Sequence, residues 1–343
     1  MKMKRHVNIP IFIPHLGCPN QCVFCNQRHI SGVSVFDPDS VIPQIESALS
    51  TIGEDTEAEI AFFGGSFTGI DRSLMLRLLE IASNYVEDGR VSAIRCSTRP
   101  DYINEEILDI LASHGVKVIE LGLQSTDQRV LNTSKRGHTF EAELKACQMI
   151  VEGGFELVGQ MMIGLPASTP ESELKTAEFI VKVGAKGARI YPTVVFKDTE
   201  LCDMALCGAY TPLSIDEAVE RSVGPLKLFL DSGVEIIRIG LCASENLSNE
   251  DTYFAGPNHP ALGEMIISRL YFQNICDKVR QSDKTAGHRL RVYVAPGALS
   301  KAIGQKKENK IRLIKEFGLA DIRFFEDSHL IGYELKLEFE GET

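Results

Sequence analysis

The feature that most constrains this chain is the alternation of short apolar runs with amphipathic helical stretches. The runs at 7–14, 59–65, 91–97, 116–124, 156–164, 187–195 and 234–241 read as strands. Between them, 40–52, 71–86, 104–115, 140–154, 170–184 and 214–233 carry apolar residues at helical spacing. The third of these opens on Asn104 as a cap and closes on Gly115. One strand and one helix recur every roughly 30 residues, the spacing of parallel βα crossovers. Six or more such units predict an α/β chain with a partial (β/α)6-type TIM barrel, whose functional groups gather at the C-terminal ends of the strands.

The pattern changes at Gly256-Pro257-Asn258-His259-Pro260, a cluster of helix and strand breakers. A helix is expected at 261–281, then a polar link. A small α+β unit follows, with strands at 289–295, 320–327 and 333–340 and a helix at 300–317. The expected division is 1–256 for the barrel, 257–285 for a connecting helix and linker, and 286–340 for the terminal domain. The chain's 343 residues are 44% apolar and 24% charged, as in a soluble globular protein. No window reaches the ~18 apolar residues of a membrane helix. Residues 1–9 are basic, but neither a long apolar run nor a small-residue cleavage site follows, so no signal peptide is readable. A cytoplasmic location without membrane association is expected, where thiols stay reduced. The net charge of −11 argues against a general nucleic-acid coat. Residues 285–318 depart from it, with eight Lys/Arg against Glu308 and Glu316, a net of +6.

Cys18, Cys22 and Cys25 directly follow the first strand. The other six cysteines are scattered, and each reads as a small buried hydrophobe. Clustered thiolates suit an iron–sulfur centre or zinc. Structural zinc takes four ligands, usually as two pairs; here there is one short pair, and His15 or His29 could supply a fourth ligand. Three thiolates on a 4Fe-4S cluster would instead leave one iron open, as reactive metal sites require.

This cysteine spacing resembles the radical S-adenosylmethionine (SAM) superfamily. The resemblance implies a 4Fe-4S cluster on Cys18, Cys22 and Cys25. SAM would bind the open iron and be cleaved by one electron to a 5′-deoxyadenosyl radical that abstracts hydrogen. It also implies a SAM site at the strand ends. Gly64, Gly65 and Ser66 stand where the family has a Gly-Gly-Glu-type motif, with Ser66 in place of the more usual Glu. Ser97, Gln124, Arg136 and Gln160 would line the carboxylate, ribose and adenine. Arg136 is the fork donor suited to the carboxylate. Gln160 stands where the related coproporphyrinogen dehydrogenases have an acid.

The blocks STRPDYI, ELGLQS, KRGHT, RIYPTVVFKDTEL, GAYTPLSIDEAVE and IIRIG resemble, in order over roughly residues 8–245, a narrower group. This is the radical SAM domain of the Elongator catalytic subunit, which modifies the tRNA wobble uridine. Arg189, Tyr191 and Arg238 fall in this pattern and would face the substrate as catalytic candidates. No acetyl-coenzyme A loop is readable after residue 245, so acetyl transfer is not implied.

The segment VAPGALSKAIGQKKENKIRLIKEFG resembles a KH domain, in which an I-G-x-x-G loop joins two helices and clamps a nucleic-acid backbone. Gly304 keeps the first glycine and Lys307 replaces the second. Gly304, Lys306, Lys307 and Lys310 are the RNA-binding candidates. The combined expectation is a radical SAM enzyme for RNA, with tRNA as partner and a flavodoxin or ferredoxin as reductant. Two alternatives stay open: radical SAM oxidation of a small molecule of porphyrinogen type, and a non-catalytic metal-dependent RNA-binding protein.

Overall fold

The computed structural model describes residues 5–13, 16–18, 21–26, 35–53, 55–241, 251–282 and 286–340. By internal contacts the chain divides into two units, one of Met1–Ser214 with Leu228–Asn258, the other of Ile215–Lys227 with His259–Thr343.

The first unit is built on one seven-stranded sheet. Its strands are β1 (Arg5–Ile13), β2 (Thr56–Gly64), β3 (Ala93–Thr98), β4 (Val116–Gln124), β5 (Glu156–Ile163), β6 (Gly187–Pro192) and, beyond the short β7 (Val195–Phe196), β8 (Glu235–Ile239). All neighbours run parallel, in the order β1-β2-β3-β4-β5-β6-β8. The sheet curls into a partial TIM barrel. Six helices lie along this stretch of chain: α1 (Val41–Leu49), α2 (Arg72–Glu87), α3 (Glu105–Ser113), α4 (Gln128–Thr133), α5 (Phe140–Glu152) and α6 (Pro170–Lys182). Their starts follow from side-chain capping. Asp71, Asn104, Asp127, Thr139 and Thr169 each accept a backbone N–H in the first turn of α2 to α6. Two helices, α7 (Glu200–Leu206) and α8 (Ile215–Asp231), precede β8. The sequence pattern missed α4, α7 and the two-stranded pair of β7 with β9 (Tyr253–Ala255), because each is too short to show periodicity.

The strands alternate. Ile9, Ile11, Ile13, Ile60, Phe62, Ile94, Cys96, Ile119, Leu121 and Leu123 are fully buried on one face. The opposite, lumen-facing set includes Glu59, Arg95, Ser97, Glu120, Gln160 and Arg189, which are polar. A parallel sheet is ordinarily apolar on both faces, so a buried polar face marks the working side.

In the second unit, α9 (Leu262–Arg280) leads to β10 (Arg289–Val294), α10 (Leu299–Ile303), α11 (Glu308–Phe317), β11 (Asp321–Glu326) and β12 (Leu335–Glu340). The sheet order is β11-β10-β12, with β10 parallel to β11 and antiparallel to β12. Tyr271, Ile275 and Val279 of α9 share one core with Leu290, Val292, Leu313 and Ile322. The single helix expected at 300–317 is in fact two. Gly304 at φ 81, Lys306 at φ 49 and Lys307 at φ 64 take left-handed backbone that no α-helix continues. Four of the scattered cysteines, Cys96, Cys147, Cys202 and Cys276, are buried as expected, but Cys207 is exposed. Cys242 lies outside the described residues.

Candidate active site

The cysteine loop is seated on the turn after β2 by close backbone contact. Gly17 has φ 77, and a Cβ there would collide with Ser66 O; one on Gly65 would collide with Leu16 O. Gly64, at φ 110, has Ile13 O 2.8 Å from where a Cβ would stand. Gly65 N donates to Ile13 O at 2.8 Å. The glycine pair was expected to let SAM approach; on this side it admits the chain's own cysteine loop. Ser66 is buried, with Oγ 3.8 Å from Cys18 Sγ. Further along, Val23 N donates to Ser134 O at 3.2 Å and Val23 O accepts from Leu201 N at 2.8 Å. The Val23 side chain packs with Val195, Leu201, Cys202 and Tyr210. Cys25 N closes a turn onto Cys22 O at 3.0 Å.

Cys22 is buried, and two buried guanidinia converge on its sulfur. Arg136 Nη1 is 3.2 Å from Sγ and Arg99 Nη1 is 3.8 Å from it. Arg136 Nη2 donates to Gly122 O, and its own carbonyl accepts from Arg99. Arg99 holds Asp101 in a two-point fork, both bonds 2.9 Å. Behind them His138 Nε2 is 2.9 Å from Glu143 Oε1, in full burial. Burial, then the charges of Arg136 and Arg99, pushes His138 down to about 3. Burial raises Glu143 well above its ordinary range. Both shifts favour the uncharged forms of the two groups. Two guanidinia thus face one carboxylate, and the remaining positive charge points at a cysteine sulfur.

A second network crosses six strands, one residue from each, exposed at His6 on its β1 end and buried toward the middle of the sheet. His6 on β1 is 3.2 Å from Glu59 on β2, which takes Arg95 Nε of β3 at 2.6 Å. Arg95 Nη1 reaches Glu120 on β4 at 3.0 Å. Glu120 also accepts from Gln160 Nε2 of β5 at 3.0 Å and from Arg189 Nη2 of β6 at 2.9 Å. Gln160 Nε2 lies 3.4 Å from Ser97 Oγ. Arg189 Nη1 lies 3.4 Å from Tyr191 Oη, and its guanidinium stands over the Phe63 ring at 5.5 Å. Burial works against the Arg189 charge, yet Tyr191 and Glu120 raise it above the usual guanidinium range. Burial likewise raises the Tyr191 phenol, against the pull of Arg189. Arg238 on β8 is the register partner of Arg189.

The expected SAM residues therefore fall into two neighbouring groups along β4. Gln160 attaches to Glu120 and Ser97 to Gln160, while Arg136 lies against Cys22 with Gln124 beside it. At Gly122, between them, a Cβ would stand 3.0 Å from Gln124 Nε2 and 3.6 Å from Arg136 Nη2. Gln124 has φ 70, a strained conformation for a residue with a side chain, and its buried Oε1 has no partner among the described residues. Arg136 Nε is likewise unpartnered. Sequence reading missed Arg95, Arg99, Asp101, Glu120, His138 and Glu143. The visible signal was a charge inside an apolar strand, as in VKVIELGLQ and AIRCST.

In the second unit, Lys306 and Lys307 are exposed on the loop that joins α10 to α11. A Cβ on Gly304 would stand 3.1 Å from Asn309 N. Asn309 is buried and pins this turn by donating to Ala302 O and Ser268 O, at 3.0 and 2.9 Å. Lys310 differs from its neighbours: its ammonium is held by Asp321 at 3.0 Å.

The residues fit an anionic iron–sulfur group. The excess guanidinium charge at Cys22 and the unpartnered Arg136 Nε call for an anionic occupant, and the unpartnered Gln124 Oε1 calls for a hydrogen-bond donor beside it. Among the described residues no three His, Cys, Asp or Glu side chains converge on a single metal ion. In a cubane each thiolate bonds a different iron, so convergence on one ion is not needed. His15 and His29, the candidate fourth zinc ligands, lie outside the described residues. No described helix is long and apolar enough to cross a membrane.

A curled parallel sheet with three cysteines after its first strand defines a class of iron–sulfur enzyme. The radical SAM superfamily model matches residues 12–180, and the radical SAM C-terminal domain model matches 185–271. The chain belongs to the radical SAM superfamily, whose enzymes use a 4Fe-4S cluster and SAM. Within it, the chain is 29% identical over 208 residues to a tRNA uridine(34) acetyltransferase of Methanocaldococcus jannaschii, covering 54% of this chain and 38% of that protein. It is 30% identical over 193 residues to Elongator complex protein 3 of Dictyostelium discoideum, covering 50% and 34%. The chain thus spans well under half the length of these relatives. The archaeal Methanocaldococcus infernus Elp3 shares the fold, with a TM-score of 0.64 at 21% identity over 80% of this chain and 64% of that one.

Proposed function

We propose that this chain cleaves SAM reductively at a 4Fe-4S cluster and modifies RNA, with a tRNA base as the substrate. The observation that carries the reading is Cys22, where two buried guanidinia meet a sulfur and, among the described residues, Asp101 alone pairs with them. Cys18, Cys22 and Cys25 would hold the cluster. Gly64, Gly65, Ser66, Ser97, Gln124, Arg136 and Gln160 would line SAM. Bound, the pair supplies one-electron chemistry that ends in abstraction of a hydrogen atom from the substrate, with a flavodoxin or ferredoxin as electron source.

The chain's own groups do the positioning. Arg136 and Arg99 stabilise negative charge on the Cys22 sulfur, as donors to a ligating sulfur do. Gln124 offers a free acceptor oxygen to a donor on SAM. Arg189, Tyr191 and Arg238 face the substrate side. RNA is supported by the named substrates of the relatives and by the exposed Lys306 and Lys307, whose charge suits phosphate. The KH-like unit, 286–340, would dock the RNA backbone at Gly304, Lys306 and Lys307. Lys310, held by Asp321, would contribute less.

The test is anaerobic reconstitution, reduction, addition of SAM, and quantification of 5′-deoxyadenosine with and without bulk tRNA. Cleavage that rises with tRNA is the expected result. Cleavage indifferent to tRNA moves the substrate to a small molecule. One zinc per chain without acid-labile sulfide sinks the enzyme reading.

A further inference from the structure

Glu120 is fully buried, and both of its oxygens are engaged. Oε1 accepts from Arg95 and Arg189, at 3.0 and 2.9 Å. Oε2 accepts from Gln160 at 3.0 Å and lies 2.8 Å from Arg189 Nε, without the alignment of a hydrogen bond. One carboxylate therefore holds a residue assigned above to SAM and another assigned to the substrate. We propose that Glu120 is a positioning residue that couples the cofactor side of the lumen to the substrate side. It does so by fixing the Gln160 amide and the Arg189 guanidinium to the same two oxygens. The proposal rests on the reading that SAM lies against Gln160.

The same geometry explains why residue 160 is an amide. A carboxylate there would place two buried acids at the 3.0 Å now spanned by a hydrogen bond. One of them would have to stay protonated. An amide donates to Glu120 through its nitrogen and leaves its oxygen to accept from a ribose hydroxyl. The residues at 120 and 160 are thus a matched acceptor and donor, and the polarity of the pair can be reversed in principle.

The experiment measures SAM dissociation constants by anaerobic equilibrium dialysis on the reconstituted full chain, with thermal unfolding of the same samples. The variants are Glu120→Gln, Gln160→Glu and the double exchange. Each single change is expected to weaken SAM binding about tenfold, the value of a hydrogen bond to a charged group. The double exchange restores a donor facing an acceptor and should recover affinity to within about threefold of the parent. A folded Glu120→Gln variant with unchanged SAM affinity overturns the coupling. So does a double variant weaker than either single one. A parent protein that holds its cluster but binds no SAM overturns the underlying SAM-site reading instead. Should Glu120→Gln not fold, an Arg189→Met and Gln160→Leu cycle decides. Coupling through Glu120 requires the two effects on SAM affinity to depart from additivity by about threefold or more, and additive effects overturn it.

Discussion

Two buried ion clusters lie along β4, and they differ in charge balance. The belt through Glu59, Arg95, Glu120 and Arg189 sets two carboxylates against two guanidinia, with every oxygen of Glu120 used. Among the described residues, the cluster at Cys22 sets Arg99 and Arg136 against Asp101 alone, and Arg136 Nε has no partner. A self-balanced cluster stabilises the fold; an unbalanced one is completed by a ligand. The comparison teaches where the occupant goes. An anionic occupant at Cys22 would balance the charge that the fold leaves unpaired there.

The largest effect expected is at the open cluster. Cys22→Ser should abolish the iron–sulfur centre, read as loss of iron and acid-labile sulfide after reconstitution. Without its sulfur ligand the two guanidinia would face each other with one carboxylate between them.

The sharpest contrast comes from removing one charge from each cluster in cluster-free protein. Glu120→Leu leaves Arg95 and Arg189 buried without that acid and should cost roughly 3–5 kcal/mol in urea unfolding. Arg136→Leu removes the excess charge and leaves Arg99 paired with Asp101. It should cost under about 1 kcal/mol, or stabilise, because a lost hydrogen bond is offset by relief of like-charge repulsion. Equal losses at the two sites would erase the distinction.

The neutral His138–Glu143 pair gives a smaller, pH-dependent signature. Below about 4.5 the unfolded chain carries a proton on both groups while the native pair carries one, so stability falls with acid until His138 titrates near 3. Above about 6.5 the unfolded chain carries neither proton while Glu143 keeps its own, so stability falls as pH rises. Between these values the proton counts match and the pair contributes no slope. Each limb is worth about 1.4 kcal/mol per pH unit. Urea midpoints across pH for the parent and Glu143→Gln check this: the variant should lose the alkaline limb, and its acid limb, now set by His138 alone, should begin near 6.5 rather than 4.5.

The smallest effect lies in the second unit, whose loop is strained rather than charged inward. Lys307 sits at φ 64 where the KH resemblance has glycine. Lys307→Gly should raise stability by about 1 kcal/mol by removing the left-handed strain, seen as a higher melting temperature. The same change should weaken RNA binding through the lost charge.

Much of the scaffold was legible. All seven strands of the main sheet and the six longer helices between them follow from periodicity and capping residues, since those signals act within a few residues of chain. The terminal helix failed because Gly304-Gln305-Lys306-Lys307 reads as helical by charge and spacing, while the packing of Asn309 against Ser268 and Ala302 fixes a turn there.

The sequence by itself determined the order of strands and helices, the position of three thiols after the first strand, and the glycine turn after the second. Only the tertiary structure decided which charges meet. Arg99 and Arg136 reach Cys22 from 77 and 114 residues away, and Glu120 collects partners 25, 40 and 69 residues distant. The physical reason is range. Periodicity is written in neighbouring side chains, whereas pairing in a curled parallel sheet depends on strand order, register and the alternation that turns each residue toward the lumen or away from it.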